Sequence, residues 1–366
     1  MTPAPAVAWR SAGPCPARGI CRPTCSPTCR SPRIDPPRPG PHNAAHAGGS
    51  ARPGQEESMP YLELMRPGQW TKNLFVFAGL VFGLKLDDRA SLVLALLGFA
   101  CFCLVSSAVY VFNDIHDRHE DRIHPTKRLR PIASGRVGVS AAAIWGALLL
   151  VGGLLGGWAL NRAFFVVVAL YVVLQTAYTF WFKHATLLDV ITIGLGFVLR
   201  AVAGALVVGV TISHWLVLCT FTLCLVLGFG KRRCELNALG NAGTQHDAAR
   251  HRRTLAEYTP ELLNHMTTLA AGIAVVSFML YANDKRTLDV FGTNYLLYTL
   301  PIVVYAIFRF ALLVEHGRVD GPTEVLLRDR PFQAAILLWG VAVLLIIYRG
   351  ESLQTWLGSI LHDGAT

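Results

Sequence analysis

Charge is scarce in this chain. Of its 366 residues only 15% are Asp, Glu, Lys or Arg, against 53% hydrophobic, and the mean hydropathy is +0.43. A water-soluble domain carries about a quarter charged residues, so a soluble globular protein is excluded. Acids are the scarcer sign, 23 against 33 Lys+Arg, for a formal net charge of +10. No aromatic-basic recognition motif accompanies that excess, so it reports membrane topology and excludes a nucleic-acid partner. Paired Cys-x-x-Cys spacing is also missing. Cys15, Cys21, Cys25 and Cys29 sit in Pro-rich sequence, and the repeat of the last three every four residues falls short of a metal-ligand set. Cys101, Cys103, Cys219, Cys224 and Cys234 lie in or beside apolar runs and read as packing residues. Residues 1–58 lack both a signal-peptide core and any periodicity, and their richness in Pro, Arg, Ala, Gly and Ser reads as a disordered tail. Met59 opens Met59-Pro60-Tyr61-Leu62-Glu63-Leu64, which reads as a natural start of translation.

Long apolar runs are what the chain has instead. Nine segments stand out, at 74–84, 90–112, 140–160, 164–182, 187–210, 215–229, 263–282, 295–314 and 332–348. Most reach the roughly 20 residues that cross a bilayer as a helix. The first is short and must recruit Trp70 to Asn73 or tilt differently. The fold class is therefore all-α: a polytopic helix bundle over 59–350, followed by a short C-terminal tail, 351–366. With the N-terminus in the cytoplasm, nineteen Lys/Arg after residue 58 fall inside, six fall outside and Arg200 lies within a span. One missed helix would scramble that asymmetry, so it supports nine spans of a cell-membrane protein with its polar loops facing the cytoplasm. Gly152/Gly156 and Gly153/Gly157 are small-xxx-small pairs that permit close helix contact. Trp70, Tyr110, Trp181 and Trp215 fit the interfacial aromatic belt.

The densest polar block, residues 113–135, follows the second run: carboxylates first, then cations, then a Pro/Gly stop. Asp114, Asp117 and Asp121 are three and four apart, so on a helix continuing out of the span they lie along one face. Such a ledge suits Mg²⁺, which a few carboxylates hold while leaving open positions for phosphate oxygens. Lys127, Arg128 and Arg130 beyond it suit a polyanion. A solvated positive-inside loop explains the arginines. It does not explain Asn113 and Asp114 directly after apolar Val111-Phe112.

The block runs Asn-Asp-x-x-Asp-x-x-x-Asp-x-x-His-Pro-x-Lys-x-x-Arg-Pro-Ile-Ala-Ser-Gly. This resembles the first Asp-rich motif of the UbiA-type prenyltransferase superfamily. The resemblance implies about nine transmembrane helices around a cytoplasm-facing polar cavity that binds a Mg²⁺-diphosphate. After the sixth run, where aromatic prenyltransferases of that superfamily carry a second motif, Asp-x-x-x-Asp, this chain has Gly230-Lys231-Arg232-Arg233-Cys234-Glu235-Leu236. Cations there meet anionic oxygens directly. Together with Arg66-Pro67-x-Gln69-Trp70-x-Lys72-Asn73, Lys183-His184 through Asp189, Arg200, Tyr258 with its upstream His251-Arg252, and Leu327-Arg328-Asp329-Arg330, it resembles the decaprenyl-phosphate phosphoribosyltransferase branch, over about 59–348.

That branch implies a membrane transferase joining 5-phosphoribosyl 1-diphosphate to a polyprenyl phosphate, for lipid-linked pentose and cell-wall synthesis. On that expectation Asp114, Asp117 and Asp121 hold Mg²⁺, with Asn113 beside them, and Lys127 and Arg130 clamp the diphosphate. Lys72, Lys231 and Arg232 take the remaining phosphates and Glu235 orients a cation or a ribose hydroxyl. Tyr178 and Lys183 fit a family signature near the same cavity and equally well an interface anchor. Arg200, alone mid-span, needs a partner that the sequence does not reveal; a structural hydrogen bond is its plainer reading. The alternatives are prenyl transfer to a 4-hydroxybenzoate-like acceptor and, from another class, a transporter or scaffold. A homo-oligomer is compatible with all of these.

Overall fold

The computed structural model describes residues 59–124, 126–241, 255, 257–317 and 321–363, and among them every regular element is a helix. The tail up to residue 58, its cysteines, and His251-Arg252 lie outside the described residues. Eight helices are long and apolar enough to cross a membrane. They belong to α3 (Arg89–His116), α5 (Val139–Leu160), α6 (Arg162–Phe180), α7 (Leu188–Val207), α8 (His214–Asn241), α9 (Pro260–Asn283), α11 (Leu300–Glu315, entered through Tyr295–Thr299) and α13 (Arg330–Asp363). Short helices complete the chain: α1 (Pro60–Met65), α2 (Ala78–Phe82), α4 (Arg118–Ile123), α10 (Lys285–Phe291) and α12 (Pro322–Arg328).

The first apolar run accounts for the difference between eight and nine. It is built from a 3-10 stretch, Pro67–Phe77, running directly into α2, so it does recruit Trp70 to Asn73. Close approach to α7 holds it. A Cβ on Gly204 would stand 1.8 Å from the Val76 carbonyl oxygen, and one on Gly79 would stand 2.4 Å from the Ala205 Cα. Only glycine lets the two backbones meet at this distance.

Elsewhere the local chemistry sets the ends. Asp88 caps α3 through the Ala90 and Ser91 amides, Asn161 caps α6 through the Ala163 amide at 2.7 Å, and Thr259 caps α9 through the Leu262 amide at 3.1 Å. Asn161 also forms the tight α5–α6 hairpin, where Gly157 lies against Phe164 and Phe165. The glycine pairs of α5 pack within the chain: Gly153 faces Val105 and the Cys101 carbonyl, Gly156 faces the Cys101 Sγ, and Gly152 has open space. Val76, Phe102, Phe164, Tyr171 and Val207 form a core beneath them. Leu148, Val151 and Leu155 on the outer face of α5 are exposed apolar side chains, as lipid contact requires. Trp70 is half-buried, and its Nε1 donates to Ser107 Oγ at 3.1 Å. The segment 351–363 continues α13 as helix.

At the α13 entrance Asp329 accepts from the Phe332 amide and forms a two-point pair with Arg309, at 3.1 and 2.7 Å. The Arg309 guanidinium holds the Asp329 carboxyl below its ordinary 3.8. A depressed folded value means this cap stabilises above the ordinary value and is lost as pH falls through the folded one. Thermal melting of the Asp329→Asn protein should accordingly lose part of the wild type's acid sensitivity below about pH 4. Identical pH profiles would contradict the assignment.

Candidate active site

Arg200 apart, the polar side chains singled out in the sequence gather at one end of the bundle, most of them in two neighbouring clusters. The first lies where α3 ends. The helix does not run straight through the acids: Asp117 adopts φ −83°, ψ 4°, and α4 restarts at Arg118. The ψ change turns Asp117 away from its fellows, so the single ledge expected from the spacing is divided. Asp114 and Asp121, both buried, converge on one atom, Arg130 Nη1, at 3.1 and 2.5 Å. Arg66 Nη2 adds a second contact to Asp114 at 2.5 Å and stacks over the Tyr110 ring. Asp117 instead pairs with Lys183 Nζ at 2.6 Å and accepts from Asn113 Nδ2 at 3.1 Å. Thr179 donates to Asn113 Oδ1 at 3.3 Å.

Among the described residues no three His, Cys, Asp or Glu side chains are close enough together to hold a metal ion as they stand. The donor set nevertheless fits a hard dication, since two carboxylates already share a single cationic atom and the third lies four residues before Asp121 with the Asn113 amide hydrogen-bonded to it. The guanidinium of Arg130 occupies the place between Asp114 and Asp121 that a cation would take. Lys127 lies half-buried on the same loop, its amide on His124 Nδ1 at 3.4 Å.

The second cluster surrounds Arg232 on α8, whose side chain is 3% exposed. Its Nε lies 2.8 Å from Asp189 Oδ2, and its Nη1 donates to Glu235. Glu235 lies 4.0 Å from Lys231 Nζ, and Tyr178 lies near Arg232. Asp189 accepts the Tyr258 hydroxyl proton on Oδ1 at 2.8 Å, and the Tyr258 oxygen accepts from the Leu187 amide at 2.8 Å. Leu187 needs that anchor, because its φ of 70° puts a branched side chain in a region that L-residues avoid. Burial, reinforced by Asp189, pushes the Tyr258 hydroxyl well above the usual phenol range, so it stays a donor. Asp189 and Tyr258 are among the matches that carry the resemblance, but it assigns them no role; the structure joins them to Arg232 as its buried support. The loop 181–187 carries Lys183 at one end and leads into Asp189, tying the clusters together.

Lys72 lies on the first membrane element with Arg66 and Arg200 as charged neighbours. Arg200 does not reach Asp189. Its Nε donates to Asn73 Oδ1 at 2.9 Å, Nη1 to the Gly196 carbonyl at 2.8 Å and Nη2 to Tyr171 OH at 2.8 Å, beside the Phe197 ring. Asn73 in turn donates to Ser106 Oγ at 3.1 Å. The partner hidden in the sequence is thus a buried asparagine on the short first element. Asn73→Ala should lower the melting midpoint by the equivalent of about 1–3 kcal/mol, the cost of leaving a buried charged donor short of one acceptor. An unchanged midpoint in a thermal-aggregation assay would refute this role.

The UbiA prenyltransferase family model matches residues 73–335. The decaprenyl-phosphate phosphoribosyltransferase of Mycolicibacterium smegmatis is 33% identical over 308 residues, 81% of this chain and 95% of that protein. The protein of the same name from Corynebacterium glutamicum is 33% identical over 293 residues, 78% of this chain and 86% of that one. Among solved structures, a UbiA homolog from Archaeoglobus fulgidus bound to GPP and Mg²⁺ superposes with a TM-score of 0.59 at 21% identity, covering 79% of this chain and 99% of its own. The helix order, the placement of both polar clusters at one end, and these matches lead to one statement of kinship: this chain is a multi-pass membrane transferase belonging to the UbiA prenyltransferase family.

Proposed function

We propose that this protein is a phosphoribosyltransferase that joins 5-phosphoribosyl 1-diphosphate to a polyprenyl phosphate, of which decaprenyl phosphate is the leading candidate, and releases diphosphate. The observation that carries this reading is the Arg232 cluster. A second acidic site would serve a second metal on a prenyl diphosphate; here a buried arginine, held by Asp189 and flanked by Lys231, meets anionic oxygens itself. Donor and acceptor together bring a diphosphate, a 5-phosphate and a lipid phosphate, and one acidic cluster among many cations matches that load.

Asp114, Asp117 and Asp121, with Asn113, would hold Mg²⁺, which when bound neutralises charge on the leaving diphosphate. Arg66, Arg130 and Lys183, now paired with those carboxylates, are placed to turn to the diphosphate oxygens, with Lys127 beside them. Lys72, Lys231 and Arg232 receive the 5-phosphate and the lipid phosphate; Glu235 and Tyr178 keep Arg232 aimed. An acceptor phosphate oxygen then attacks ribose C1 while the C1–O bond to diphosphate breaks, and its electron pair leaves with the diphosphate. The nucleophile is already an anion, so no proton has to be removed and positioning with charge neutralisation supplies the rate. The active end faces the cytoplasm, where the sugar diphosphate is soluble, and the bundle lies in the cell membrane.

Prenyl transfer to an aromatic acceptor is the second reading, with the same acidic cluster in its favour. A transporter is disfavoured by polar clusters confined to one end of the bundle. Purified protein in bilayers given labelled phosphoribosyl diphosphate and decaprenyl phosphate should yield a labelled lipid. Product only from a prenyl diphosphate with 4-hydroxybenzoate would overturn the proposal.

A further inference from the structure

At the end of the bundle away from the acidic cluster lies a cavity of about 210 Å³, walled by α2, α7, α8, the last turn of α9, α10 and the connection 209–213. Much of its lining is apolar, with Phe82, Val198, Leu216 and Phe291 on four different elements. Tyr281 and Thr287 line it too. Each is 4% exposed, and neither hydroxyl has a hydrogen-bond partner among the described residues. Neither oxygen is sealed in protein, so both open on this space. Buried hydroxyls are nearly always paired, and two left open beside apolar walls mark a place for a polar group on a hydrocarbon stem. Water alone would satisfy the hydroxyls but leave those walls wet.

Arg286 supplies the charge. It lines the same cavity from the exposed start of α10, where its Nη2 donates to the Thr211 carbonyl at 2.8 Å. That bond positions the guanidinium, and Nε and Nη1 remain as donors for an anion. Among the described residues no carboxylate lines the cavity; Asp284 and Arg286 both lie near Tyr281, but only Arg286 is part of the lining.

We propose that this cavity is a site for an anionic phospholipid of the leaflet at that end. Its phosphodiester meets Arg286 and the Tyr281 and Thr287 hydroxyls, and the first part of one acyl chain lies along Phe82, Val198 and Leu216. An ammonium headgroup would find no carboxylate here, which favours phosphatidylglycerol over phosphatidylethanolamine. Gly79 lines the cavity and its backbone meets Ala205 there, so an occupant braces the first membrane element against α7. The site is independent of which transfer reaction the protein performs.

Two measurements test it. Native mass spectrometry of the purified protein with equal amounts of the two phospholipids should show one phosphatidylglycerol retained in preference, and Arg286→Gln and Tyr281→Phe should each weaken that retention about tenfold or more. Tyr281→Phe keeps the ring that packs against Phe82, so the fold is spared. Equal retention of both phospholipids, wild-type retention in both variants, or displacement of the bound lipid by uncharged decaprenol would overturn the proposal. Separately, phosphatidylglycerol carrying a diazirine near the carbonyl end of one acyl chain, photolysed with the wild-type protein in bilayers, should label the peptides containing Leu216 and Phe291. Labelling confined to helix faces outside the cavity would refute the site.

Discussion

Asp114→Ala and Asp117→Ala should each abolish turnover and Mg²⁺ dependence while leaving the protein inserted and folded. Asp114 is the acid most heavily engaged by cations, with Arg66 and Arg130 on one carboxylate. Losing a group that organises charge stabilisation at the reacting centre costs about 10²–10³ in rate, and losing a metal with it costs more. Folding should survive because the orphaned guanidiniums are not sealed in: Arg66 and Arg130 side chains are 23% and 26% exposed and can reach water. Lys183, the cation that Asp117→Ala would orphan, is 16% exposed and can also reach water. Asp114→Asn and Asp117→Asn keep the shape without the charge and should be equally inactive. Rates within a fewfold of wild type in any of these variants, measured by diphosphate release, would remove the acids from the chemistry.

Asp189→Ala should be the most destabilising single change at the site. Here both partners are dry, with side chains 1% and 3% exposed. Breaking such a pair strands a buried charge and costs about 3–5 kcal/mol, of which the remaining Glu235 contact to Arg232 recovers a part. The Tyr258 hydroxyl and the Asp189 side chain also hold the strained Leu187 turn at the start of α7, so the loss spreads to the loop bearing Lys183. The double variant Asp189→Leu/Arg232→Leu removes both charges and should regain most of the melting temperature, yet stay inactive, because the phosphate-binding guanidinium is gone. An Asp189→Ala protein that melts like wild type would show that the pair is not the buried element described here, and a double variant with normal turnover would show that Arg232 touches no substrate.

The bundle was legible because lipid imposes a strong pattern: apolar runs of spanning length, with Lys and Arg collected on one side. The first run illustrates the limit. Its length falls short, and what places it is the meeting of Gly204 with the Val76 carbonyl, a contact between positions far apart in sequence. The site divides the same way. Asp114 and Asp121 do come together as their seven-residue spacing implies, whereas the turn at Asp117 sends that carboxylate to Lys183, because a local ψ change leaves no mark on residue spacing. The cluster of Lys231, Arg232 and Glu235 was visible as a motif. Its true support, Asp189 and Tyr258, comes from two other elements, and Arg200 finds Asn73 across a long loop of sequence. Pairings across helices are tertiary facts, and one sequence shows at most that each polar residue needs a partner.

The mass and isotope content of the lipid product test the central claim most directly. Decaprenyl phosphate labelled with ¹⁸O in its phosphate, incubated with phosphoribosyl diphosphate and the protein in bilayers, should give a decaprenyl-phosphoryl-phosphoribose that retains every labelled oxygen, with unlabelled diphosphate released. A product carrying the isoprenoid without its phosphate, or label appearing in the diphosphate, would contradict attack of the lipid phosphate on ribose C1.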